Sequence, residues 1–237
     1  MTRLAAVAHI GVVGCSAEGA ALCYRTLCAE GPALLGPHAH PEVTLHTPSL
    51  ADYVQRLDAG DIDGVGELML ASARVLAAAG AEFLICPDNT IHQALPGIRA
   101  RSPLPWLHIA EVVAREAAAR GFGRVGLLGT HWLVDSAVYP DALAVHGIAC
   151  VRPPRAQRER TGRIIMDELV AGVFRDDSVR YLREVIAGFA EAGCDAVVLG
   201  CTELPLVLGD DDSPLPTLDS TRLLARAALR RAVAAQD

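Results

Sequence analysis

The stretch Ala192-Gly193-Cys194-Asp195-Ala196-Val197-Val198 sets a glycine after a helical run and then turns apolar. Ala79-Gly80-Ala81-Glu82-Phe83-Leu84-Ile85 has the same form 113 residues earlier. Carried onward, that offset lays Asp88 on Cys201 and Asn89 on Thr202. A second pair of segments, Ile10-Gly11-Val12-Val13-Gly14-Cys15 and Val125-Gly126-Leu127-Leu128-Gly129-Thr130, repeats at an offset of 115. Two independent segments at nearly one spacing predict a chain built twice.

Working outward, short apolar runs alternate with Ala/Leu-rich helical stretches. Strands are expected over 8–13, 42–46, 83–86, 106–108, 125–128, 149–151, 196–199 and 216–218. Helices are expected over 18–29, 64–79, 109–119, 135–144, 161–173, 178–192 and 220–235. Gly80, Gly121, Gly147 and Gly193 each stand between a helix and a strand, where a left-handed C-cap belongs. The alternation predicts an α/β fold of two pseudo-symmetric lobes, each a parallel sheet flanked by helices. The Pro/Gly/Asp-rich segments 95–104 and 209–216 serve as crossovers, giving lobe 1 as 1–100 plus 215–237 and lobe 2 as 101–214. Ligands of such folds lie at the carboxyl ends of strands. The active site is therefore expected in the cleft between the lobes, with Asp88 and Cys201 facing it from opposite sides.

Composition removes several chemistries. All 21 basic residues are arginine and none is lysine. A pyridoxal-phosphate enzyme, an imine-forming aldolase and a P-loop nucleotidase each need a lysine. The net charge of −7 with no basic block leaves nucleic acid without an electrostatic footprint. No run of 18 apolar residues predicts a membrane span. The N-terminal Met1-Thr2-Arg3-Leu4 leads into no signal-peptide core, so a cytoplasmic protein is expected. Seven cysteines without a Cys-x-x-Cys pair argue against a disulfide framework and a zinc ribbon. No metal and no cofactor is expected.

Asp88 and Cys201 each follow an apolar strand, and Asn89-Thr90 and Thr202-Glu203 follow them with donors suited to a carboxylate. A substrate α-carbon held between two such groups can lose a proton from one face and regain one on the other. An α-hydrogen is weakly acidic, so the donors must also stabilise an enolate-like state. Asn89, Thr90, Thr202 and Thr130 are the expected carboxylate donors, with Ser16 beside them and His46 in reach of a substrate side chain. The plainer alternatives are a helix N-cap for Asp88, a small buried hydrophobe for Cys201, and turn residues for the rest. His92 lies four residues past Asp88, on the same face of any helix starting there. His38-Ala39-His40, Asp210-Asp211-Asp212 and most of the arginines from 152 to 163 read as solvated loops.

These motifs give the chain a family resemblance over nearly its whole length. Gly14-Cys15-Ser16 through Tyr24-Arg25, Asp88-Asn89-Thr90-Ile91-His92, Leu128-Gly129-Thr130 and Gly200-Cys201-Thr202-Glu203 resemble the aspartate/glutamate racemase superfamily. Leu45-His46-Thr47, Leu107-His108-Ile109-Ala110 and Asp167-Glu168-Leu169 look most like the branch that contains the L-aspartate/glutamate-specific racemase. The resemblance implies a two-lobed, cofactor-independent amino-acid racemase, a homodimer, with a catalytic cysteine in each lobe. Here the first of those cysteines is Asp88, while Cys86 sits two residues earlier, where burial is expected. Reference acidities near 3.9 for a carboxyl and about 8.5 for a thiol make Asp88 the resting base and Cys201 the resting acid. Where some aspartate racemases place an arginine and a lysine for the side-chain carboxylate, Tyr53 and Val170 stand here, which speaks against aspartate.

The function expected is racemisation or epimerisation of an amino acid or related α-substituted carboxylate by an Asp/Cys pair. Two rivals stand beside it. A decarboxylase of substituted malonates needs only one protonating cysteine, and release of carbon dioxide would identify it. A non-catalytic small-molecule binding protein would keep its ligand in Cys201→Ser without turnover.

Overall fold

The computed structural model describes residues 7–234. The expectations at Met1–Leu4 and for the end of the last helix at Ala235 lie outside the described residues. The chain divides into two compact units, Met1–Ile109 with Thr221–Asp237, and Ala110–Ser220.

In the first unit β1 (Ile10–Val13), β2 (Val43–His46), β3 (Phe83–Ile85) and β4 (Trp106–Leu107) form one parallel sheet in the order β2-β1-β3-β4. In the second, β5 (Arg124–Leu128), β6 (Ala149–Val151), β7 (Ala196–Leu199) and β8 (Thr217–Asp219) take the same ranked order, β6-β5-β7-β8. The sequence repeat is thus a repeat of topology. The central strands β1, β3 and β7 are buried throughout and β5 from Val125 onward, as parallel sheets covered by helices require. In the first unit Ile10, Leu84, Met69 and Leu76 are fully buried. Leu128, Ile165, Leu182, Ile186 and Leu199 form the core of the second. The paired glycines of β1 and β5 allow neighbours to approach closely. A Cβ on Gly11 would stand 2.7 Å from Leu84 Cδ2, and one on Gly126 2.5 Å from the Phe189 ring.

Each sheet reverses direction once. The chain runs from β1 outward to β2, then returns across β1 to β3, and the second unit does the same from β5 through β6 to β7. Such a reversal leaves a crevice beyond the carboxyl ends of the two strands that flank it. In the first unit those ends lead into Gly14-Cys15-Ser16 and Cys86-Pro87-Asp88; in the second, into Gly129-Thr130 and Gly200-Cys201.

All eight expected strands form. Gly80, Gly121, Gly147 and Gly193 are left-handed, with φ between 71° and 94°. Other expectations need correction. The change-overs placed at 100/101 and 214/215 fall short of β4 and β8, because a strand stays with the sheet it is hydrogen-bonded to. The helix expected over 135–144 is two helices, His131–Asp135 and Val138–Ala144. Ser136 separates them: its hydroxyl donates to Leu133 O at 2.7 Å and accepts from Val138 N at 3.3 Å. The helix expected over 161–173 starts at Arg155, widens into a π turn over Ile164–Glu168 and ends before Gly172 at φ 71°. The acidic run Asp210–Asp212 is a 3-10 turn that anchors β8: Asp210 Oδ1 accepts from Thr217 N at 2.7 Å and from its hydroxyl at 2.6 Å. Among the described residues no helix is long and apolar enough to cross a membrane.

Candidate active site

In the first unit three strand ends bring the expected residues together. After β1, Ser16 caps the helix Ala17–Glu30 by accepting from Gly19 N at 3.2 Å. At the end of β2, His46 pairs with Val13 in the sheet, and its Nδ1 meets the Ser72 hydroxyl at 3.0 Å. After β3, Pro87 turns the chain and Asp88 Oδ1 accepts from Ile91 N at 3.1 Å, heading a 3-10 turn over Thr90–Ala94. Asp88 is half-buried, whereas Asn89 and Thr90 are 2% and 6% exposed. Capping accounts for Asp88 Oδ1 locally and is compatible with chemistry at the carboxylate.

Two neighbours fix the Asp88 main chain. Cys86 is fully buried, as expected, and its thiol points at Asp88 O at 3.8 Å. Burial, with Asp88 beside it, pushes that thiol well up, so it stays protonated. His92 Nδ1 lies 2.6 Å from the same carbonyl. Burial first and His108 second hold His92 well below the usual imidazole range. The His108 ring meets it edge-on at 4.6 Å. A neutral, buried His92 orients Asp88 through its backbone.

In the second unit Thr130 is buried after β5 and caps the helix His131–Asp135, accepting from Leu133 N at 3.3 Å. It does there what Ser16 does in the first unit. After β7, Cys201 is half-buried and Thr202 is 3% exposed. Both donate to one oxygen of Glu203: the thiol at 2.9 Å and the hydroxyl at 2.7 Å. Glu203, 2% exposed, is therefore built into the Cys201 turn. Glu203 is not among the expected site residues. Its place directly after Cys201-Thr202 was the available signal.

Tyr53 and Ser72 are also at the first site. Tyr53 lies on the helix Leu50–Asp58, whose Leu50, Tyr53, Val54 and Leu57 stand at helical spacing, and Ser72 on Ile62–Ala78. Among the described residues no group of three or more His, Cys, Asp or Glu side chains is arranged to hold a metal ion. His38 and His40 lie in a loop, where His40 Nδ1 bonds Pro41 O at 2.8 Å. Arg163 is exposed.

Comparison with known proteins follows the same lines. The family model for Asp/Glu/Hydantoin racemase matches residues 10–228. A broad-specificity amino-acid racemase from Bacillus subtilis (strain 168) is 25% identical over 179 residues, 74% of this chain and 76% of that protein. A glutamate racemase from Acidothermus cellulolyticus is 27% identical over 175 residues, 68% of this chain and 64% of that one. Among solved structures, a protein from Yersinia pestis provisionally described as an Asp/Glu racemase superposes with a TM-score of 0.86. It is 31% identical, with 95% of this chain and 99% of that chain covered. An aspartate racemase homologue from Pyrococcus horikoshii OT3 gives a TM-score of 0.79 at 26% identity over 94% of this chain and 98% of that one.

Proposed function

Because this chain belongs to the Asp/Glu/Hydantoin racemase family, we propose that it is an amino-acid racemase that needs no cofactor and uses Asp88 and Cys201 as its acid/base pair. The observation that carries this is positional. Asp88 and Cys201 occupy one rank in two sheets of identical order, on the first turn after the third strand. A chain without lysine cannot form the Schiff base of the pyridoxal route.

Asp88, as carboxylate, takes the α-proton from one enantiomer. The Cys201 thiol returns a proton to the opposite face, leaving a protonated Asp88 and a thiolate. Asn89, Thr90 and Thr202 hold the substrate carboxylate and the negative charge that grows on it, with Thr130, Ser16 and His46 around them. The other enantiomer needs the pair in the opposite protonation state, so the two hands meet different resting enzymes. Racemisation has an equilibrium constant of unity, so kcat/KM must match for the two hands while kcat and KM separately need not. The same reading makes the protein a cytoplasmic homodimer, supported by the family resemblance and checked by light scattering.

The test is α-hydrogen exchange in heavy water across a panel of amino acids. Wild type incorporates deuterium and Cys201→Ala loses racemisation. Absence of exchange from every amino acid would overturn the proposal.

A further inference from the structure

A cavity of about 430 Å³ opens within the first unit, and its lining includes none of Ser16, His46, Asp88, Asn89 or Thr90. Its size is that of a small-molecule site. One wall is the start of the helix Ile62–Ala78, which contributes Asp63 and Glu67. These stand four residues apart, so both carboxylates lie on one helix face. The other wall is the run from Gln93 to Arg101, which continues directly from the Asp88 turn. Ala94 and Ile98, 4% and 3% exposed, make an apolar floor. There a Cβ on Gly66 would stand 2.6 Å from Ile98 Cγ2, so the two walls meet closely. Arg101 Nη2 donates to Glu67 Oε1 at 2.6 Å and joins them a second time. Gly97 shows that the space between is open. Its backbone is not left-handed, and a Cβ built there would meet nothing within 4 Å.

We propose that this cavity is a second amino-acid site, which binds a free α-amino acid as an effector rather than as a substrate. The lining selects the ligand. A guanidinium and a carboxylate stand in contact here, with a second carboxylate one helical turn away. A complementary molecule must carry its own opposite charges close together, as an α-amino acid does. Its carboxylate takes the N–H fork of Arg101, and its ammonium has three donors for Asp63, Glu67 and Gln93 Oε1. A simple anion would meet two carboxylates as like charges, and a simple amine would compete with Arg101 for Glu67. Gln93 links the cavity to the catalytic turn, because its Nε2 donates to Thr90 O at 3.0 Å. An ammonium on Gln93 Oε1 polarises the amide and strengthens that bond. Thr90, which the racemase reading assigns to the substrate carboxylate, is then held more firmly, and exchange at low substrate concentration rises. This coupling rests on that reading, whereas binding in the cavity does not.

The experiment titrates alanine, glutamine, glutamate and lysine, one at a time, into wild type, Gly97→Leu and Arg101→Gln in a calorimeter, with the Tm of each protein. Leucine at position 97 fills the open space without a clash at its Cβ. For at least one amino acid, wild type should show a binding event that is absent from Gly97→Leu and about tenfold or more weaker in Arg101→Gln. That amino acid should also speed α-hydrogen exchange of a second, subsaturating one in wild type, and not in Gly97→Leu, whose unstimulated exchange is unchanged. Binding that is identical in all three proteins overturns the proposal. Should Gly97→Leu melt lower than wild type, Arg101→Gln decides in the same way. Binding that Gly97→Leu abolishes without any effect on exchange overturns the effector role. Absence of exchange from every amino acid removes the racemase reading, whereas an event lost in Gly97→Leu still upholds the cavity as a binding site.

Discussion

His92 holds Asp88 by its main chain: Nδ1 lies 2.6 Å from the Asp88 carbonyl oxygen, and Nε2 lies 3.3 Å from Ile109 N. The Ile109 amide can only donate, so Nε2 accepts and the proton is on Nδ1. A ring bonded in this way must stay neutral, which agrees with the weakened basicity that burial and His108 impose. In the unfolded chain a histidine titrates near 6.5. Below that pH the unfolded state binds a proton that the folded state refuses, so stability is complete above about 6.5 and falls as pH drops. The slope from this one group is about 1.4 kcal/mol per pH unit. Thermal melts at pH 7.5, 6.5 and 5.5 should show a falling Tm in wild type and a flatter profile in His92→Asn. An equal slope in both would remove His92 as the cause.

Asp88→Asn separates the capping contact of that side chain from its proposed role as base. Asparagine is as good a cap as aspartate, so the Ile91 N contact and the fold should survive. The amide cannot accept a proton as a base. Exchange from the enantiomer that Asp88 serves should drop by about 10²–10⁴. Exchange from the other hand, initiated at Cys201, should fall much less. Equal losses from both hands, with an unchanged circular dichroism spectrum, would count against a one-sided base.

The sequence held more of the fold than of the site. The repeat of residues 79–85 in 192–198 already implied two sheets of one topology, because a buried parallel strand must be continuously apolar whatever surrounds it. The matching places of Asp88 and Cys201, just past β3 and β7, follow from the same repeat. Helix boundaries depending on single side chains were not. Ser136 breaks one helix with two short-range hydrogen bonds, and no apolar period records that. The helix Leu50–Asp58 is absent from the expected elements although Leu50, Tyr53, Val54 and Leu57 stand at helical spacing, because its nine residues are short for a helix. Glu203 was in plain view, but its attachment to the Cys201 thiol depends on how the turn folds back, which motif spacing does not encode.

Thiol reactivity should follow burial. Cys86 is fully enclosed and its thiol is held up by burial and Asp88. Burial likewise pushes Cys150 up to about 11. Cys201 is half-buried at a strand end. The thiolate is the reactive form, so brief alkylation at neutral pH, followed by peptide mass mapping, should mark Cys201 before Cys150 and leave Cys86 untouched. Early modification of Cys86 would mean that its strand end opens in solution.

Glu203 gives the most direct handle on how Cys201 works. Its carboxylate accepts the S–H at 2.9 Å and the Thr202 hydroxyl at 2.7 Å through the same oxygen. An acceptor of that kind stabilises the neutral thiol, and its charge opposes a thiolate alongside. Both effects keep Cys201 loaded with the proton that the proposed mechanism asks it to give. Glu203→Gln retains an acceptor oxygen but removes the charge. The thiolate fraction at neutral pH should then rise by about tenfold, the equivalent of one unit of acidity. Alkylation of Cys201 should speed up accordingly. At saturating substrate, turnover should slow for the hand that needs a protonated thiol and hold better for the hand that needs a thiolate, while kcat/KM changes equally for both. Slower alkylation in Glu203→Gln would mean instead that Glu203 draws the proton away and acts as the base for Cys201, reversing the direction assigned to the pair.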